Sequence, residues 1–335
     1  MWLFQLGDYL ALLLLKCLPK RISTRIQENA STYKVYNLST KQYKTKPRMT
    51  FFEAVFATIL FDLALFGTSN PIINFIIAFF THLQNSWDKP FKSKQEANLQ
   101  ITEFCNRLRI QSTPWIWEKP MEEYISLNDF FSRTYLPEIF PLLGKADMVS
   151  PASCTMRRYN HDSNLQQILI KGCDYRIEDI GLPHDDLKLF KENPVLIGYL
   201  SPTDYHRVHS PIAGKITHLS LEGADRKSAS VKFFDGKFNL LNENKRLVIV
   251  IETNEVKVSV VVIGGIGVDT IAYNPNILGQ HIDKGQELSA FRAGGSAIAV
   301  FTTAKLEFEE DFEKASENYS YVEVHVGESL ANFSK

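Results

Sequence analysis

The chain has 335 residues, 44% of them hydrophobic, and a formal net charge of -1. That length buries one large core, or a core with an accessory region, and the near-neutral balance argues against a nucleic-acid partner, which leaves a strongly basic footprint. The four cysteines, Cys17, Cys105, Cys154 and Cys173, show neither a CxxC pair nor metal-ligand spacing, so reduced thiols in a cytoplasmic setting are expected, with no disulfide framework and no metal.

Residues 1–20 read MWLFQLGDYLALLLLKCLPK. The apolar run Tyr9–Leu15 lies between Asp8 and Lys16 and is too short for a bilayer span, which takes roughly 20 residues. It also lacks the early positive charge and small-residue cleavage site of a signal peptide. Lys16, Lys20, Arg21 and Arg25 follow the run, which fits an amphipathic helix at a membrane surface. An ordinary buried N-terminal helix fits the same residues equally well.

Residues 51–66, FFEAVFATILFDLALF, and 71–80, PIINFIIAFF, are the most apolar stretches. Glu53 and Asp62 interrupt the first, and Pro71 separates the two. A charge in mid-bilayer costs about 2.5–3.5 kcal/mol on insertion scales. Two helices in or near the interface are therefore expected, with a membrane-spanning hairpin as the alternative. From about residue 85 to 125 the composition turns polar, with helical periodicity around Ile101–Ile110.

After residue 145 the texture changes. The segments VLIGYL (195–200), RLVIVIE (246–252), VKVSVVVIG (256–264) and AIAVFTT (297–303) are rich in β-branched and aromatic residues and short enough for strands. The expected class is α+β. Residues 1–120 form a helical, apolar, membrane-associating region, and residues 121–335 a β-rich domain, a sandwich or partly closed barrel. No GxGxxG or Walker loop is present.

Two segments could carry chemistry. Tyr199–Ile216, YLSPTDYHRVHSPIAGKI, holds His206 and His209 with Asp204 and Arg207 among turn-forming residues. An imidazole on a loop serves as a base near neutral pH because its ordinary pKa is about 6.5, although surface histidines are also commonplace. Arg292–Phe301, RAGGSAIAVF, places Gly294 and Gly295 before Ser296 and an apolar strand. Glycines there would let the Ser296 hydroxyl approach the preceding carbonyl, but a GGS triplet alone is most often a simple turn.

Taken in order, these segments resemble the phosphatidylserine decarboxylase family. YLSPTDYHRVHSP is similar to its histidine motif, and the GGS at 294–296 to its self-cleavage site, usually LGST or GGST. Ser126–Arg133 (SLNDFFSR), Val149–Ala152 (VSPA), Ile170–Tyr175 (IKGCDY), Asn242–Arg246 (NENKR) and Lys284–Glu287 (KGQE) match further blocks. The resemblance covers about residues 120–305; upstream, VYNLSTKQYKT is loosely similar to the opening of longer members.

The resemblance implies a pyruvoyl enzyme. Self-cleavage between Gly295 and Ser296 would give chains of residues 1–295 and 296–335 that stay associated, and Ser296 would become a pyruvoyl group. Its ketone would take up the substrate amine and draw off electrons as CO₂ departs, with no metal or separate cofactor. His209 matches the family's general base in maturation, and His206 the histidine of substrate handling or protonation after CO₂ loss. Asp204, Arg207 and Gly294 match the motifs as loop support. The implied substrate is phosphatidylserine, the implied product phosphatidylethanolamine. The implied location is peripheral, on the cytoplasmic face of a membrane, and a homodimer is compatible with it.

One position departs from the family. Where its triad Asp lies in a PxDG-type segment, this chain has Pro151-Ala152-Ser153-Cys154, so Ser153 stands for the Asp and Cys154 for the Gly. Ala297 also replaces the usual Ser or Thr. By analogy with serine-protease triads, losing the carboxylate costs about 10⁴ in rate. A second reading follows, a non-catalytic homologue that keeps the fold and binds lipid or a partner. A third keeps the chemistry but acts on another amine-bearing carboxylate.

Overall fold

A computed structural model of the chain describes residues 32–47, 86–108, 110, 117–136, 143–162, 167–170, 173–175, 177–223, 244–265, 271–293, 296–316 and 321–334. The apolar segments at 1–20, 51–66 and 71–80, together with Gly294 and Gly295, lie outside the described residues. The chain divides into two compact units, residues 1–35 with 43–82, and residues 36–42 with 83–335. The second carries every described candidate site residue. Among the described residues no helix is long and apolar enough to cross a membrane.

Helix α1 (Lys94–Leu108) realises the periodicity around Ile101. Its start is capped: Ser93 Oγ accepts the Glu96 amide at 3.1 Å, and Glu96 Oε2 accepts the Lys92 amide at 2.6 Å. Its buried residues Ile101 and Cys105 pack with Trp117, Tyr124 and Phe130. The last of these belongs to the short helix α2 (Leu127–Phe131), whose N-cap Ser126 accepts the Asp129 amide.

The β-rich part is built on strands β1 (Cys154–Tyr159), β2 (Val195–Leu200), β3 (Arg207–His209), β4 (Gly214–Glu222) and β5 (Arg246–Glu252). They are followed by β6 (Lys257–Gly264), β7 (Ile271–Tyr273), β8 (His281–Ile282), β9 (Glu287–Phe291), β10 (Ser296–Thr302) and β11 (Tyr321–Val324). The four apolar segments singled out in the sequence are thus β2, β5, β6 and β10. Eight of the ten strands of the largest sheet run in the order β8-β4-β5-β6-β10-β2-β1-β11, antiparallel to one another, and the order continues with Thr32–Asn37 and Gln42–Pro47. This order is open, so the sheet does not close into a barrel. A second sheet runs β7-β9-β3.

The residues explain the order. β10 is buried along all seven of its positions, as are seven of the eight positions of β6. Continuous apolar runs suit central strands covered on both faces. Each fully buried Val or Ile contributes about 1.5–3 kcal/mol of transfer free energy, so β10 and its neighbours form the strongest part of the core. Among the described residues, no cluster of three or more His, Cys, Asp or Glu side chains could hold a metal ion. Cys105 and Cys154 are buried and form no disulfide.

Candidate active site

Ser296 is the first residue of the central strand β10. It pairs with Gly264 on β6 and with Leu200 on β2. It is completely buried, and among the described residues its Oγ finds no hydrogen-bond partner. An unmet buried hydroxyl costs about 1–3 kcal/mol, a cost that the Ser259 and Ser289 hydroxyls share.

Leu200, the pairing partner of Ser296, is also where the sheet releases the histidine loop. Ser201 to Asp204 closes a turn: the Asp204 amide donates to the Ser201 carbonyl at 2.8 Å, and Asp204 Oδ2 accepts the Ser201 amide at 2.8 Å. The chain then enters β3, which pairs with β9 through Arg207↔Ala290 and His209↔Glu287. Arg207 braces this junction, donating Nε to the Ser132 carbonyl at 2.8 Å and Nη1 to both Glu287 oxygens at 2.8 and 2.9 Å. The Phe291 amide at the end of β9 donates to the His206 carbonyl at 2.8 Å, and β10 begins five residues further along the chain with Ser296.

Both imidazoles are buried, His206 at 1% exposure and His209 at 5%. His206 Nδ1 lies 2.8 Å from the Asp204 carbonyl, and its ring packs on Phe131 of α2 with centroids 3.9 Å apart. His209 Nδ1 lies 2.8 Å from the Gly285 carbonyl, and Nε2 lies 3.0 Å from the Tyr205 hydroxyl. A carbonyl only accepts, so each Nδ1 carries the proton and each Nε2 keeps its lone pair. On His209 that lone pair faces the Tyr205 hydroxyl.

The surroundings keep both rings neutral. Burial pushes His206 down from 6.5 to about 3, and the neighbouring Arg133 cation adds to the effect against the pull of the Asp204 carbonyl. Burial likewise brings His209 to about 4, with the Gly285 carbonyl opposing the shift and Arg207 reinforcing it. Arg133 is itself buried, its guanidinium 4.9 Å from the Phe130 ring centroid and 5.8 Å from that of Trp117.

Ser153 Oγ accepts the Val326 amide at 3.1 Å. The adjoining Pro151 carbonyl accepts the His209 amide at 2.8 Å, so the segment does flank the histidine through its backbone. Cys154 has a packing role: a Cβ on Gly198 of the neighbouring strand would come within 2.6 Å of its Sγ. The thiol occupies the space that Gly198 leaves.

The family described as phosphatidylserine decarboxylase matches residues 127–332, which takes in α2, both histidines and Ser296. The chain belongs to the phosphatidylserine decarboxylase family. Its members are made as proenzymes of a pyruvoyl-dependent lyase. The chain is 30% identical to the phosphatidylserine decarboxylase proenzyme of Halalkalibacterium halodurans over 219 residues, covering 64% of this chain and 80% of that one. It is 26% identical to the proenzyme of Fusobacterium nucleatum over 260 residues, 74% of this chain and 83% of the relative. With the proenzyme of Chlamydia pneumoniae it shares 28% identity over 273 residues, 80% and 85% of the two chains.

Sequence reasoning assigned no role to Gly285, Tyr205 or Arg133. All three lie inside or beside blocks that carry the family resemblance, and that membership was the available signal. Gly285 acts through a backbone carbonyl, which no residue type announces.

Proposed function

We propose that this chain is a self-maturing phosphatidylserine decarboxylase acting at a membrane surface, and that Ser296 is the source of its pyruvoyl group. The observation that carries this reading is the buried Ser296 hydroxyl, which has no hydrogen-bond partner among the described residues; a neutral His209 held by its Nδ1 supports it. The site fits the group: Ser296 begins a strand, so a new chain end there would be seated by the ladder on both sides.

In maturation, Ser296 Oγ attacks the Gly295 carbonyl carbon. Its proton passes to His209 Nε2, directly or through the Tyr205 hydroxyl. The peptide C–N bond breaks as its nitrogen takes a proton, leaving an ester. Loss of the Ser296 Cα proton then expels the Gly295 carboxylate from Cβ, and water releases the nitrogen as ammonia, which leaves a ketone at residue 296. The two fragments stay together because β10 lies between β6 and β2, both of which come from residues 1–295.

The pyruvoyl group supplies an electron sink for the pair released as CO₂ leaves. His206 is neutral, so it can return only a proton it has first taken. Its Nε2 keeps a lone pair that can accept a hydrogen bond from the arriving substrate amine, which fits a substrate-handling role. Asp204 and Arg207 hold the loop that positions it. The apolar segments at 51–66 and 71–80 and the basic residues after Leu15 support a phospholipid substrate met at the membrane. Ser153 in place of a carboxylate favours a second reading, a non-catalytic relative.

Intact mass of freshly purified full-length protein decides between them. The proposal expects slow conversion to two fragments, the smaller starting at residue 296, blocked to N-terminal sequencing and reactive with hydroxylamine. CO₂ release from phosphatidylserine should follow the cleaved fraction, and both should vanish in Ser296→Ala. A chain that keeps its full mass for days at neutral pH and releases no CO₂ would establish the non-catalytic reading instead.

A further inference from the structure

The link from β9 to β10 contains the bond that the proposed maturation breaks, and one side chain from a remote element holds it. Asn128 of α2 accepts the Ala293 amide on Oδ1 at 2.8 Å and donates Nδ2 to Asp88 Oδ1 at 2.8 Å. Asn128 is 7% exposed and lies 165 residues from Ala293 in sequence. Both partners are one-way: a backbone amide only donates, and a carboxylate only accepts. The Asn128 amide therefore has a single satisfied orientation, and Asp88 sets it.

Ala293 lies beyond the end of β9 and before the start of β10, so its amide is outside either ladder. An acceptor there removes the cost of a buried unmet donor. It also fixes the chain two residues before Gly295, while the β10 ladder fixes Ser296 on the other side. Intramolecular attack is steep in geometry, and a misplacement of about 1 Å can cost roughly 100-fold.

We propose that Asn128, oriented by Asp88, is a positioning residue for self-cleavage, holding Ala293 so that the Gly295 carbonyl meets the Ser296 hydroxyl. This rests on the self-cleavage reading above. The Asp88–Asn128–Ala293 chain works through the backbone and touches no reacting atom. It assigns a maturation role to the SLNDFF block that is separate from the histidine loop.

The test uses the full-length chain, follows cleavage by intact mass, and reads protection of the Ala293 amide by hydrogen exchange. Asn128→Ala should slow cleavage by about tenfold or more and deprotect Ala293. Asn128→Asp alone sets two carboxylates against each other and should be as slow. Adding Asp88→Asn restores an amide–carboxylate pair with reversed roles and leaves a carboxylate at position 128 to accept the Ala293 amide. The double variant should recover to within about threefold of the starting rate. A purely structural role would make cleavage follow thermal stability across the variants, whereas the positioning role slows Asn128→Ala at a temperature where it stays folded. Cleavage of Asn128→Ala within twofold of the starting chain, or no rescue by the double variant, overturns the role alone. A starting chain that never cleaves overturns both the role and the self-cleavage reading, whatever the exchange at Ala293.

Discussion

His209 is held at Nδ1 by the carbonyl of Gly285, 2.8 Å away, at the position on the ring where a triad carboxylate would bind. A carbonyl selects the same tautomer as a carboxylate and fixes the ring in the same sense. It lacks the full negative charge that stabilises an imidazolium. The large loss seen when a serine-protease Asp becomes Asn arises from the wrong tautomer, and Gly285 removes that part of the penalty.

Ser153→Asp should therefore speed self-cleavage only modestly, by about tenfold or less against the roughly 10⁴ lost when a triad tautomer is wrong. Cys154 is best left in place, because its thiol fills the space beside Gly198. Time courses of fragment formation, compared at one pH, measure the effect. A gain of a thousandfold or more would show that the Gly285 carbonyl does not orient His209.

Gly285→Ala gives the complementary expectation. Gly285 has φ +83°, and an added Cβ would come within 2.6 Å of a Leu143 methyl. A left-handed conformation costs an ordinary residue about 1–2 kcal/mol, and relief of that strain would rotate the carbonyl away from His209. Cleavage should slow at least tenfold in protein that remains folded by near-UV circular dichroism. An unchanged rate would detach Gly285 from the site.

The strands were legible because β2, β5, β6 and β10 are unbroken apolar runs of strand length, and α1 because its apolar spacing is helical. The histidines and Ser296 stood out as chemical groups in recognisable blocks. What could not be read is how the blocks meet. Gly285 reaches His209 across 76 residues through a carbonyl, and Asn128 reaches Ala293 across 165 through an amide. Such contacts depend on sheet order, and an alternating or continuous apolar pattern is the same in an open sheet as in a barrel. The polar stretch before residue 120 looked separable from the β-rich part by composition. The structure groups residues 83–335 in one unit, since α1 packs its apolar stripe against Phe130 and Tyr124.

Membrane association is tested on the intact chain and on one lacking residues 1–31, because residues 36–42 belong to the second unit and a deeper truncation would damage it. The full chain should co-sediment with vesicles containing phosphatidylserine. Removing Lys16, Lys20, Arg21 and Arg25 with the apolar run should weaken binding, each basic residue near an anionic surface being worth about 1 kcal/mol. High salt should reproduce part of that loss in the full chain. Equal sedimentation of the two chains at low salt would make the N-terminal segment ordinary core.

The two histidines set a pH dependence whose sign follows from their direction of shift. Each is held below its unfolded value near 6.5, His209 at about 4 and His206 at about 3. The unfolded chain takes up protons first as pH falls, so the stability these residues contribute is fully present above 6.5. It is lost as pH falls through about 4 and then about 3. Urea midpoints should fall between pH 6.5 and 5, above the range of ordinary carboxylates, and His206→Gln should flatten that slope. Self-cleavage should behave differently from stability, because the neutral form of His209 persists throughout this window. Its rate at pH 5.5 should lie within about twofold of that at pH 7.5, whereas a base with the ordinary imidazole pKa would have lost about tenfold. A cleavage rate that halves near pH 6.5 would mean that the attacking proton goes to a group in an ordinary solvated environment, and His209 in its buried seat would not be the base.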